Sequence, residues 1–455
     1  MAPAGRAPRR KNRGVVRASR GGRRLAGAAP RDAWLACALL LAACAPGGGP
    51  DAGGLLPDGG GFTEDAGPHR GDGGGDGGGI ANSDAERFWE ALAGERTVDE
   101  MLLEVARHDG WPIATPEGFI FAHKDDGMGP YRLAGDHDGW RGTPMQLEHG
   151  VWWTQVRIDA PRGSKYKFID GQGRYVADPW ARRYGYDAFG QYALVRAWGG
   201  HIERWPGVAG EGLAPRTVRV WVPMDPPTHH LYMHDGQNIF DRDAPFGGWK
   251  IDEVVSSSTL VVGIDNTPDR MDEYTHVPDR IEGEEVGGRA DAYARFVREV
   301  VVPLVEAEYG PPERRGVMGS SLGGLVSLYI AVAQPDFWDF AGSLSGTLGW
   351  GSIGAHNETV IERYVAAGPM PFVLYLDSGG GPGSGCVDSD GDGIRDDAPD
   401  SQDNYCTTRQ MADELAAGAW TYDVNLFHWW EPGAGHHEAA WAARVFRPVG
   451  LFEGL

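Results

Sequence analysis

Short apolar runs closed by Pro, Gly or Asp alternate with longer amphipathic stretches over residues 200–455. Thr217–Val222, His230–Met233, Thr259–Ile264, Arg315–Met318, Pro371–Leu376 and Asp423–Trp429 each read as a strand, and segments such as Asp291–Glu306 carry apolar residues at helical spacing. Strands alternating with helices predict an α/β body, a mostly parallel sheet with helices on both faces. Upstream the period changes. Gly118–Ala122, Tyr131–Ala134, Val151–Ile158 and Tyr166–Ile169 are short strand-like runs between Asp-Gly and Gly-Gln-Gly turns, which predicts a small immunoglobulin-like β-sandwich over 113–199. In 82–112, Phe88, Leu92, Met101, Leu102 and Val105 recur at helical spacing, giving two short helices on either side of Gly94, with Ser83-Asp-Ala-Glu86 reading as a capping box. Residues 44–81 have almost no apolar content. Of the 36 residues from 45 to 80, 16 are Gly, so this stretch is expected to be a flexible tether.

Residues 1–43 read as a targeting segment. Basic residues precede the apolar run Ala33–Ala43, which is too short to span a bilayer as a helix. The run ends in Leu41-Ala-Ala-Cys44, which resembles a bacterial lipobox with Cys44 as the acylated residue; a secretory peptide cleaved at a small residue would look much the same. The protein is therefore expected to be exported and, on the lipobox reading, lipid-anchored to the cell envelope at a periplasmic or outer-membrane surface. That anchor would be its one membrane contact.

Charge and cysteine content narrow the picture further. Of 42 basic and 64 acidic residues, ten and one fall within 1–43, leaving 32 against 63, a net of −31. A surface this acidic repels nucleic acid, which is excluded as a partner. Two of the four cysteines, Cys37 and Cys44, fall in the targeting segment. In an exported protein Cys386 and Cys406 are then expected to pair with each other.

The candidate chemistry centres on Gly319-Ser-Ser-Leu-Gly-Gly324, between the strand Arg315–Met318 and an amphipathic helix. G-x-S-x-G in that setting is a nucleophile elbow, a turn that needs small neighbours and presents a serine at a helix N-terminus. Ser321 sits at its centre; Ser320 is the neighbouring alternative. A serine hydroxyl needs a base, and His436 follows the last strand in a Pro-Gly-Ala-Gly turn, with His437 as its rival. Carboxylates lie between, so the chain order is Ser, Asp, His.

Arg216–Pro223, Leu231-Tyr-Met-His-Asp-Gly-Gln-Asn-Ile-Phe-Asp241, Val262–Asn266, Gly319–Leu325 and Pro432–His436, in that order, resemble the esterase D family of α/β-hydrolases. The family includes feruloyl esterases, enterochelin esterases, formylglutathione hydrolases and mycolyltransferases. The run Ala134–Trp140, Gly150–Trp153 and Tyr166–Phe168 resembles early-set domains related to glycogen-binding modules, which stack sugars on Trp and Lys; such sandwiches often only pack beside a catalytic domain, and tryptophans are more often core than ligand platform. The two together resemble the enterochelin-esterase architecture. The resemblance implies a triad acid in the loop after the penultimate strand. Asp403 is favoured, because Asp403-Asn-Tyr-Cys leads into the next helix; Asp377, directly after the strand, is the alternative. It also implies an oxyanion hole made by the backbone N–H of Leu322 and, by resemblance of the Asp-Gly-x turn, that of Gln237.

What separates the two acids is an insertion, 380–402, containing Asp388-Ser-Asp390-Gly-Asp392-Gly-Ile-Arg-Asp396-Asp397. Asp388, Asp390, Asp392 and Asp396 stand at positions 1, 3, 5 and 9 of a loop that resembles the calcium loops of dockerins, though Pro399 replaces the usual Glu at position 12. A structural Ca²⁺ is expected there; the chemistry itself needs no cofactor. The function expected is ester hydrolysis through an acyl-enzyme, on a siderophore lactone or an esterified glycan. A non-catalytic glycan-binding lipoprotein and an acyltransferase are the alternatives.

Overall fold

The computed structural model describes residues 83–398 and 400–455; the targeting segment, Cys44 and the tether lie outside the described residues. Eight strands build the main sheet of the C-terminal body: β1 (His201–Gly210), β2 (Leu213–Val222), β3 (His229–His234), β4 (Thr259–Ile264), β5 (Arg314–Ser320), β6 (Phe340–Leu344), β7 (Val373–Ser378) and β8 (Leu426–Trp430). They lie in the order β1-β2-β4-β3-β5-β6-β7-β8. The β1–β2 and β2–β4 pairs are antiparallel, and every pair from β4–β3 onward is parallel.

The period of two sorts each strand's side chains onto two faces. Tyr232, Val262, Val317 and Leu374 enter a core with Tyr293, Leu325, Val360 and Met411, whereas Leu231, Met233, Val261, Met318 and Tyr375 pack against Trp441, Val445, Val449 and Phe452. Helices therefore cover both faces, and the sheet is buried as parallel sheets require.

The long helix expected over 291–306 is interrupted. Ala290–Arg295 and Val302–Tyr309 are α-helical, with a π-helical stretch Phe296–Val301 between them. Pro303 has no N–H to donate and its ring crowds the carbonyl four residues back, which accounts for the widened turn directly upstream.

Upstream, the strands Ile113–Thr115, Gly118–Lys124, Val151–Val156 and Gln146–Glu148 form a separate four-stranded sheet. Phe121, Leu133, Tyr166, Phe168 and Val195 fill the space between it and the strands Arg132–Gly135, Lys165–Ile169 and Gly190–Leu194, which continue the main sheet. The other face of the small sheet is covered by the helices Ser83–Leu92 and Val98–Arg107, through Phe88, Met101, Leu102 and Val105. Trp153 belongs to that packing, with its ring 5.4 Å from Phe88. The capping box falls on the second helix, where Thr97 and Glu100 exchange hydrogen bonds. Ser83 is itself helical, and its hydroxyl accepts from Arg87 at 3.0 Å. The boundary expected near 199 falls inside a continuous sheet, because β1 pairs with Arg183–Asp187 as well as with β2.

Two histidines of β3 are buried. Among the described residues His230 has no hydrogen-bond partner on either ring nitrogen, and burial pushes it from 6.5 down to about 4; His234 is pushed to about 3 by burial. The folded protein thus binds fewer protons than the unfolded chain between those values and 6.5, so stability is full above that range and falls as pH drops through it. Each group contributes at most about 1.4 kcal/mol per pH unit. The urea midpoint is expected to fall between pH 7 and 5, and to fall less in His230→Leu. An equal fall in both proteins would contradict this account.

Candidate active site

The elbow is set by packing that tolerates only small residues. Ser321 follows β5 at φ 55°, ψ −125°, a strained conformation for a non-glycine residue, and its N–H is tied to the Leu344 carbonyl at 3.0 Å. A Cβ at Gly319 would stand 2.6 Å from the Gly323 carbonyl oxygen, and one at Gly324 2.5 Å from Ser343 Oγ. Those contacts explain the glycines, and they force the chain to turn at Ser321. Ser320 remains in strand register opposite Leu344.

Leu322 opens the helix Leu322–Ala333, leaving its N–H at a helix N-terminus. Gln237 lies in the single turn Gly236–Asn238 after β3, the parallel neighbour of β5, so the two turns sit side by side at the same end of the sheet. The second turn is braced. Asp235, left-handed at φ 58°, accepts two bonds from Arg270, at 2.7 and 2.9 Å. Burial works against its charge, yet Arg270, Asn266 and His234 together outweigh burial and hold the carboxyl below its usual range. The Gln237 side chain accepts from the Asn266 N–H at 3.1 Å. Nothing local in the sequence marked Arg270 as this brace.

Two histidines compete in sequence and separate in space. His436 Nδ1 lies 2.7 Å from Asp403 Oδ1. His437 instead caps the helix Glu438–Ala442, with its ring nitrogen accepting from the Ala440 N–H at 3.3 Å. Among the described residues His436 is hydrogen-bonded to Asp403 and not to Ser321. Contacts between nucleophile and base are often long without substrate.

Asp377 takes a different place. The strand runs on past Leu376, so Asp377 lies within β7, fully buried on the face of Tyr375 rather than on a loop. It accepts from Arg444 Nε at 3.0 Å and from the Tyr375 hydroxyl at 3.0 Å.

The insertion leaves and returns at one point. Gly381 and Gln402 pair as an isolated bridge, and Cys386–Cys406 are disulfide-bonded with Cα atoms 5.3 Å apart. That neck delivers Asp403 to the start of the loop after β7, where the Gly380 N–H donates to the Ala434 carbonyl at 2.8 Å and links the acid loop to the histidine loop. Within the insertion, ligand atoms of Asp388, Asp390 and Asp397 lie within 4.8 Å of one another, and Asp390, Asp392 and His356 form a second such group. Asp396 is in neither group. Burial first, then Asp392 and Asp397, push its carboxyl up to about 6.

The family described as "Putative esterase" matches residues 214–451, just over half the chain and all of the parts above. The chain belongs to that esterase family. The chain is 29% identical over 130 residues to the uncharacterized protein YbbA of Bacillus subtilis (strain 168), a match covering 26% of this chain and 49% of that protein. It thus spans about half the length of the curated relative it matches. Among solved structures it is similar to the enterobactin esterase FES from Shigella flexneri, at 15% identity, 74% of this chain, 93% of that chain and a TM-score of 0.40. It is also similar to an IroE-like serine hydrolase from Shewanella oneidensis, at 18% identity, 56% of this chain, 80% of that one and a TM-score of 0.43. For the siderophore hydrolase EstB from Aspergillus nidulans the figures are 17%, 55%, 94% and 0.39.

Proposed function

We propose that this esterase hydrolyses carboxylic esters through an acyl-enzyme on Ser321, with His436 as general base, Asp403 as the triad acid, and the N–H groups of Leu322 and Gln237 as the oxyanion hole. The observation that carries the reading is the His436–Asp403 bond of 2.7 Å, formed on loops at the same end of the sheet as the strained serine. Asp403 orients the ring with Nε2 toward the nucleophile and stabilises the imidazolium that forms as Ser321 attacks the carbonyl carbon. The imidazolium then protonates the leaving alcohol. A water deprotonated by His436 next releases the acid and restores the serine.

The substrate class we propose is a siderophore lactone or an esterified glycan met outside the cytoplasm, in keeping with the lipobox-like Cys44 and an immunoglobulin-like reading of 113–199. A panel of a catechol trilactone, a feruloyl ester and an acetylated sugar tests it. A kcat/KM at least about tenfold above the others identifies the class, since a site that pairs polar groups of its substrate rejects analogues lacking them. Equal rates on all three would point to a generalist.

We also propose that Asp388, Asp390 and Asp397 hold a Ca²⁺ ion, which would relieve the crowding of like charges in the loop. Asp403 is held from outside the insertion as well, by the Gly379 N–H and the Ser345 hydroxyl. Excess chelator is therefore expected to lower the melting temperature by about 3–8 °C while changing kcat less than about threefold. A tenfold loss of kcat would show that the ion, not the surrounding fold, positions the acid.

A further inference from the structure

We infer that Arg444, Ser345 and Asp377 are positioning residues that lock the Asp403 carboxylate against His436, so that Asp377 serves the site one group removed, as the counter-ion of Arg444. The inference rests on the serine-hydrolase reading above and adds to it three residues that touch neither the nucleophile nor the base.

Ser345 is the hub. Its hydroxyl donates to Asp403 Oδ2 at 2.7 Å and accepts from Trp441 Nε1 at 3.1 Å and from Arg444 Nη2 at 2.6 Å. One donor and both lone pairs are thereby used, the full capacity of a hydroxyl. The backbone of Ser345 is bound to one candidate acid and to the residue next to the other. Its N–H donates to the Asp377 carbonyl at 2.8 Å, and its own carbonyl accepts from Asn404 Nδ2 at 2.8 Å. Ser345 holds a left-handed φ of 50°, and Asp403 one of 57°. Strain of this kind persists only where the surroundings dictate it.

Arg444 lies behind the hub with its side chain 2% exposed, donating to Asp377 at 3.0 Å and to the Ala440 carbonyl at 3.2 Å, with Nη2 3.7 Å from Asp403 Oδ2. With Oδ2 held by Ser345, the Gly379 N–H and this cation, Oδ1 alone faces His436, and the carboxylate cannot rotate away. Trp441, which donates to Ser345, also packs edge-on against the His436 ring at 5.1 Å. One contact set thus fixes the acid and the base together.

The charges make the inference testable apart from packing. His436 faces Asp403, with Arg444 behind it and Glu438 on the following helix; Arg444 faces Asp377, Asp403 and the Tyr375 hydroxyl. Burial pushes Asp377 up to about 6 against the pull of Arg444, so above that pH its anion balances the guanidinium. Removing the cation strengthens the hold of Asp403 on an imidazolium; removing Asp377 weakens it.

The experiment compares the full-length parent with Arg444→Met, Asp377→Asn and the double variant, by kcat, KM and the acid limb of the kcat/KM profile on a p-nitrophenyl ester, with melting temperature and fluorophosphonate labelling alongside. Arg444→Met is expected to lower kcat by about 10- to 100-fold with KM within about threefold, and to move the acid limb up by roughly one pH unit. Asp377→Asn is expected to move the limb the opposite way. Each single variant breaks a buried ion pair and should melt lower, whereas the double variant should recover melting temperature and not kcat. Recovery of both together, or limbs that stay at the parent's pH in folded variants, overturns the inference and leaves a merely structural ion pair. A parent that takes no fluorophosphonate adduct overturns the serine-hydrolase reading and this inference with it.

Discussion

Ser321→Ala is expected to lower turnover of a p-nitrophenyl ester by roughly five to six orders of magnitude while leaving the melting temperature close to the parent's. The size follows from what triad members do together. In serine hydrolases, removing the nucleophile costs about as much as removing the whole triad, because the remaining groups have nothing to activate. Stability should be spared because the packing at the elbow belongs to the backbone and its glycines. The close approaches at Gly319 and Gly324 involve no Ser321 side-chain atom. Alanine at a φ of 55° is no worse placed than serine, since both carry one Cβ. A loss below about tenfold, measured with protein freed of contaminating esterases, would remove Ser321 from the mechanism.

The second large effect separates the two aspartates. Asp403→Asn is expected to cost about 10⁴-fold in kcat, the size seen when an amide replaces a triad acid and favours the wrong tautomer of the histidine. Its shape and most of its hydrogen bonds survive, so folding should be little affected. Asp377→Asn should show the reverse balance. It strips the nearer counter-ion from an Arg444 whose side chain is 2% exposed, leaving Asp403 at 3.7 Å, and breaking a buried pair costs about 3–5 kcal/mol. Its kcat should nevertheless stay at least about tenfold above that of Asp403→Asn, because Asp377 acts on the acid rather than on the histidine. If Asp377→Asn proved the more damaging to kcat in folded protein, the assignment of the two aspartates would have to be exchanged.

The turns that carry Ser321 and His436 were legible because their signals are local. A tight turn must be bought with glycines next to the serine, and the Pro-Gly-Ala-Gly turn marks the histidine, so both choices can be read from a few adjacent residues. The parallel body was legible for the same reason, since each strand carries its own period. The acid was not. In sequence Asp377 and Asp403 flank an excursion of unknown course, and only the Gly381–Gln402 bridge shows that the chain returns to its starting point. The end of β7 mattered too. One further turn of strand register carries Asp377 into the sheet and out of the loop.

Ser345 and Arg444 carried no signal at all. Each looks like an ordinary residue at the edge of an element, and their roles come from contacts spanning about a hundred positions, such as Arg444 to Ser345. The aromatic residues show the same limit from the other side. Trp153 could be read as a sugar platform or as core, and it stands half-buried against the helices packed on its sheet.

The most direct test of the central claim is mass spectrometry of the intact full-length protein after reaction with a fluorophosphonate, followed by a peptide map. The account predicts one adduct, on Ser321, absent from Ser321→Ala and formed far more slowly in His436→Ala. No adduct on the folded parent, or an adduct that persists in Ser321→Ala, would contradict it.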